Sequence, residues 1–148
     1  MKSDLSFIVF VTIFFSNFIS NTAFCTLGER VENLQASGQK KLSQQSGYTI
    51  QESDVNGTAV KEFILPSGIV FAITWRGIKH PDLSSVLGTY NTEFEKLKSQ
   101  KVKALGRAPI HVQSSKVSVK MSGHMRDVHG EVYDPTLLPA DFSIQDLK

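Results

Sequence analysis

The dipeptide Asn56-Gly57 constrains this chain more than any other feature, because it stands between two strand-like runs. Asn and Gly both accept positive backbone φ, which a two-residue type I′ hairpin turn requires. The run before the turn is Tyr48 to Val55, and the run after it is Ala59 to Leu65. Pro66-Ser67-Gly68 marks a second turn, and Ile69 to Trp75 follows as a third strand, apolar at successive positions. A strand with apolar residues on both faces belongs in the middle of a sheet, covered on both sides. These residues predict a three-stranded antiparallel meander.

The stretch Asp82 to Lys98 changes period. Leu83, Val86, Leu87, Tyr90, Phe94 and Leu97 recur at helical spacing and form one apolar stripe. Asp82 is the expected N-cap, its carboxylate accepting first-turn amides. Gly88 lies on the apolar side and is expected to permit close approach to the sheet rather than to break the helix. From Ile110 to Tyr133 the pattern returns to strand, with Val117, Val119 and Met121 alternating with Ser118, Lys120 and Ser122. Gly123 and Gly130 suggest bends or bulges along it. Asp134-Pro135 and Leu138-Pro139 open a tail expected to hold little regular structure. The expected fold is a single α+β domain, its antiparallel sheet of about five strands ordered three, helix, two, with the main helix packed on one face.

The N-terminus reads as an export signal. Met1-Lys2-Ser3-Asp4 precedes an apolar run from Leu5 to Phe15, which Ser16, Asn17, Ser20, Asn21 and Thr22 then interrupt. That run is too short for a spanning helix, which needs about 20 apolar residues. Small residues at Ala23 and Cys25 place the expected cut after Cys25, with a cut after Ala23 as the alternative. Bulky Phe24 argues against lipid attachment at the cysteine. The division expected is signal 1–25, a polar segment 26–46 with a short helix near 29–35, and the α+β domain 47–148. Cleavage removes the chain's one cysteine, and with it disulfides, thiol nucleophiles and cysteine-bound zinc. The net charge of +2 is too mild for a dedicated nucleic-acid binder.

The most chemically dense segment is His124-Met125-Arg126-Asp127-Val128-His129. On a continuous strand His124 and Arg126 share one face, and Asp127 and His129 the other. The functional reading is a small polar site in which Arg126 holds an anion and His124 donates to it. The plainer reading pairs Arg126 with an acid at a sheet edge. Trp75 is either a binding anchor or packing at the core edge. Glu52, Asp54 and Glu62 gather near the first hairpin, where a solvated acidic face outweighs acid–base work on a glycan. Ser37-x-x-Lys40 matches an acyl-enzyme pattern by chance, its companion motifs being missing. The basic stretch Lys96 to Arg107 is either a solvated linker or a contact with anionic lipid. No catalytic residue, metal site or cofactor is assigned.

An ordered set of short matches runs through the chain. It includes Leu27-Gly28, Gly47-Tyr48-Thr49, Pro66-Ser67-Gly68, Val70-Phe71-Ala72, Trp75, Pro81-Asp82-Leu83, Leu87-Gly88 and Tyr90. It ends in Ser122-Gly123-His124-Met125-Arg126, Gly130, Tyr133, Pro135 and Leu137-Leu138-Pro139. In this it resembles the uncharacterised bacterial group catalogued as domain of unknown function 2844. The resemblance implies an exported protein of the Gram-negative envelope, periplasmic or secreted, and no activity. The function expected is non-enzymatic binding of another envelope protein or a cell-surface polymer, with His124, Arg126, Asp127, His129 and Trp75 as candidate binding residues. The alternatives are a small periplasmic hydrolase or lyase with a His/Arg/Asp site, and lipid contact through Lys96–Arg107.

Overall fold

The structure, a computed structural model, describes residues 25–31, 41–100 and 109–147. Among them seven strands form one antiparallel sheet: β1 (Lys41–Gln45), β2 (Tyr48–Val55), β3 (Thr58–Ile64), β4 (Val70–Gly77), β5 (Ile110–Gln113), β6 (Ser118–His124) and β7 (Asp127–Tyr133). The spatial order is β1-β2-β3-β4-β7-β6-β5. Helices α1 (Leu83–Leu87) and α2 (Asn91–Gln100), joined by a 3-10 turn over Gly88–Tyr90, connect β4 to β5.

The α+β class and single sheet match expectation, whereas the strand count of about five is corrected to seven. One added strand is β1, in a stretch read as loop. Its five residues are all exposed, so it carries no apolar alternation and is held by its ladder with β2. The other arises because 118–133 is a hairpin, with Met125-Arg126 turning the chain between His124 and Asp127. Neither turn residue is Gly or Asn, so the usual turn signal is missing.

The first hairpin follows its turn chemistry. Asn56 and Gly57 have φ of 54° and 78°, and Asp54 Oδ1 accepts from the Gly57 amide at 3.0 Å. Strand β4 is the middle strand, with six consecutive buried residues from Val70 to Trp75. A bulge explains how it serves both faces. Phe63 pairs with Ala72 and Ile64 with Val70, so Phe71 is an extra residue. Val70, Ile73 and Trp75 then join a core with Val86, Leu87 and Phe94 of the helices. Phe71 and Ala72 join a second core with Phe63, Tyr133 and Leu147.

The C-terminal tail closes that second core. Phe142 lies with its ring 5.2 Å from Tyr48, 5.8 Å from Phe63 and 5.0 Å from Phe71, each nearly edge to face. A 3-10 turn at Ile144–Leu147 then seats Leu147, 3% exposed. The tail is thus a packed cover rather than the flanking segment expected.

The helical stretch begins as read, with Asp82 Oδ1 accepting from the Ser84 amide at 3.2 Å. Hydrogen bonds from Ser84 and Ser85 also hold the Asp82 carboxyl below its usual range, the Ser85 hydroxyl contributing most. Gly88, however, does end α1, with φ 50°. The close neighbour that excludes a side chain there is Thr26, from the N-terminal segment, rather than the sheet.

Residues 25–31 are not helical: the chain turns at Leu27–Gly28, with the Glu29 amide bonded to Thr26, and Arg30 then bridges to Ile69. Leu27 is fully buried, its amide bonded to Val86, while the Gly28 amide bonds to Val70 and the Val31 amide to Gly68. Gly28, at φ 77°, lies against the Tyr90 ring, whose hydroxyl donates to Asp134 Oδ2 at 2.6 Å. The remainder of the expected 29–35 helix, the signal at 1–24, Ser37, Lys40, Lys101, Lys103 and Arg107 lie outside the described residues. Among the described residues no helix is long and apolar enough to cross a membrane.

Candidate functional site

Trp75 is 2% exposed, so it is an internal side chain. It lies in the core against Gly130 of β7, where any side chain would strike the indole. Its Nε1–H donates to His80 Nδ1 at 3.0 Å, and the two rings meet edge to face. This bond requires a lone pair on Nδ1, so the exposed imidazole is held neutral with its proton on Nε2. Burial, and then repulsion from His129, hold His80 below the ordinary histidine range.

The β6–β7 hairpin separates the other candidates. His124 ends β6 opposite Asp127, which starts β7, and Arg126 lies in the turn between them at φ 65°. Asp127 and His129 share one face of β7, and Arg76 on the neighbouring strand stands directly beside His129. Asp127 is turned to Arg76, at 3.3 Å from its Nε and 3.5 Å from its Nη2. His129 Nε2 is 2.7 Å from Ser122 Oγ. Both pairings lie on exposed surface, where an ion pair contributes about 0–1 kcal/mol.

Two recesses flank this hairpin. The first, of ≈ 470 Å³, has apolar walls from Ile78, Ile110, Met121, Met125 and Val128, with His80, His124 and Arg126 also bordering it. Among the described residues no carboxylate lines it. Met125 is 82% exposed and Ile78 47%. Among the described residues Arg126 has no ion-pair partner. His124 and Arg126 therefore border one concavity, and no acid is among its described lining residues.

The second recess, of ≈ 730 Å³, lies on the tail side of the sheet. Its floor is a row of neighbours across the strands: Lys61, Thr74, Glu131, Lys120 and His111, with Glu52 continuing the row on β2. Here Lys61 pairs with Glu52 at 3.3 Å and Lys120 with Glu131 at 3.1 Å. This is a charge ladder already matched within itself.

The acidic cluster near the first hairpin dissolves in the fold. Glu52 pairs with Lys61, Asp54 holds the turn, and Glu62 is 1% exposed on the opposite face. Glu62 Oε2 accepts from Gln51 Nε2 at 2.6 Å, and Oε1 from the Cys25 amide at 2.9 Å. Gln51 is itself 0% exposed, and its Oε1 has no hydrogen-bond partner. This buried polar pair escaped the sequence reading. Its signal was Glu62 lying in step with Val60 and Ile64, two inward positions of the same strand. On helix α2, Lys98 bonds to Glu95 at 3.0 Å and lies 5.4 Å from the Phe94 ring centre. Among the described residues no group of three His, Cys, Asp or Glu could hold a metal ion.

No curated protein and no solved structure matches the chain. A family model matches residues 23–147, a span that contains all of the described residues. The chain belongs to that family, described as protein of unknown function (DUF2844).

Proposed function

We propose that this is an exported envelope protein that acts by binding another protein at the β6–β7 hairpin, without catalysis. The observation that carries the reading is Arg126. Among the described residues its guanidinium has no ion-pair partner and no carboxylate lines the apolar recess beneath it, and it stands beside the 82% exposed Met125. Met is an adaptable apolar contact, and Arg recognises carboxylates in a planar, two-pronged geometry. The partner segment that fits is an apolar side chain flanked by an acid. Arg126 also occupies left-handed backbone space, which disfavours any residue but Gly by about 1–2 kcal/mol. Retaining a long cation there is consistent with a role in contact.

Export agrees with the apolar start, the interruption after Phe15 and the absence of any cysteine framework. The test is site-specific photocrosslinking from position 125 in the native envelope fraction. The expected result is one stoichiometric protein adduct, lost in Arg126→Glu and weakened by salt. An adduct that persists unchanged in Arg126→Glu rules out the site, and protein confined to the cytosol rules out export.

A further inference from the structure

Resting on the export reading, we propose that Glu62 and Gln51 form a receptor for the free α-amino group created when the signal is removed. The Cys25 amide nitrogen lies 2.9 Å from Glu62 Oε1, and Gln51 Nε2 lies 3.9 Å from Cys25 Sγ. The chain therefore passes the expected cut while touching a carboxylate that is 1% exposed. Beyond that point the strand is held, since Thr26 lies against Gly88 and Leu27 is bonded to Val86.

Hydrolysis of the Cys25–Thr26 bond by a signal peptidase leaves a carboxylate on the departing segment and an amine on Thr26. That amine starts one residue, about 3.8 Å, from the position of the Cys25 nitrogen, with the room of Cys25 vacated. A backbone amide brings one donor to this place, whereas an α-ammonium brings three and a charge. The second acceptor is present: Gln51 Oε1, in a side chain 0% exposed, has no partner before processing. Its amide orientation follows from Nε2 donating to Glu62 Oε2 at 2.6 Å. Processing thus puts a charged donor beside the Glu62 carboxylate in place of the Cys25 amide and offers a donor to the orphaned Gln51 acceptor. Among the described residues, other titratable groups near the segment are Glu29, near Gly88, and the Tyr90–Asp134 pair beside Gly28. Both are further along the chain than Thr26.

The experiment uses the chain beginning at Thr26 with a free amine, pulse-acetylated across a pH series and read by mass spectrometry of its N-terminal peptide. An ordinary α-amine titrates near 7.7–8.0. The expected midpoint for the folded chain lies above the midpoint of the same chain in urea, with acetylation at pH 8 about fivefold slower, corresponding to a shift of about one pH unit. Glu62→Gln, or two extra residues before Thr26, returns the midpoint to the unfolded value. Burial alone would lower the midpoint, so an unchanged or lowered value in the folded wild type overturns the receptor. Recovery of the uncleaved chain from the envelope fraction, recognised by intact mass, removes the cleavage that the receptor requires and so overturns it, whereas protein confined to the cytosol removes the export reading.

Discussion

The packing of Phe142 leads to a quantitative prediction about the tail. Phe142→Ala removes a ring that meets Tyr48, Phe63 and Phe71 at 5.0–5.8 Å. Burying a phenylalanine side chain contributes about 1.5–3 kcal/mol, and edge-to-face pairs add about 0.5–1.5 kcal/mol each beyond their area. The ring is only partly buried and its three partners are mutually packed, so the terms do not sum in full. The expected loss is about 3 kcal/mol, within the about 3–5 kcal/mol seen for complete burial. Against a total stability of about 5–15 kcal/mol this is a large share. Ile144→Ala, two residues further on and 45% exposed, is the internal control, with an expected loss under about 1 kcal/mol. Urea unfolding followed by circular dichroism reads the difference as a midpoint shift of about 1 M or more for Phe142→Ala. If both variants unfold within about 0.5 kcal/mol of each other, the tail is not part of the core and the second cluster has been misread.

Further predictions follow from single contacts. Arg126→Gly relieves a φ of 65° without losing an ion pair, so it stabilises the fold by up to about 1 kcal/mol, while partner crosslinking at the hairpin falls; clear destabilisation in thermal melts would refute the strain argument. Trp75 is the only tryptophan, and its bond to His80 needs a neutral ring. Because the folded pKa of His80 lies below its ordinary 6.5, its stabilising contribution is full above that value and is lost as pH falls through the folded pKa; Trp75 emission should change over that range, and His80→Gln should abolish the change. Burial first, and then the bond to Asp134, push Tyr90 up to about 12 from 10.0. Its contribution is complete below pH 10 and lost between pH 10 and about 12, so Tyr90→Phe should flatten the alkaline limb of the stability curve.

The route from sequence to fold was readable where local pattern and turn chemistry agreed. Asn56-Gly57 defines its hairpin because both residues tolerate positive φ. The doubly apolar run around Phe71 marks the middle strand because only a central strand is covered on both faces. Asp82 announces a helix start through its own hydrogen bond. Strand β1 was silent because Lys41–Gln45 buries nothing. The β6–β7 hairpin was silent because Met125-Arg126 lacks turn residues, and reading through it misplaced Arg126 on a strand face.

The candidate site shows the same division. The sequence singled out His124, Arg126, Asp127, His129 and Trp75 by residue type alone, yet their relations depend on pairings far apart in the chain. Arg76 takes Asp127 from a strand 51 residues away, and His80 takes the indole of Trp75. Alternation along β3 was enough to place Glu62 inward, but only the fold brings Gln51 and Cys25 to it. Local sequence suffices where a turn, a cap or an apolar period rests on energies between near neighbours, as at Asn56-Gly57, Asp82 and the run around Phe71. Which charges are matched, that Gln51 Oε1 is buried without a donor, and that Arg126 stands without a carboxylate partner among the described residues depend on the tertiary structure, since each turns on what the sheet places within about 3 Å of the group.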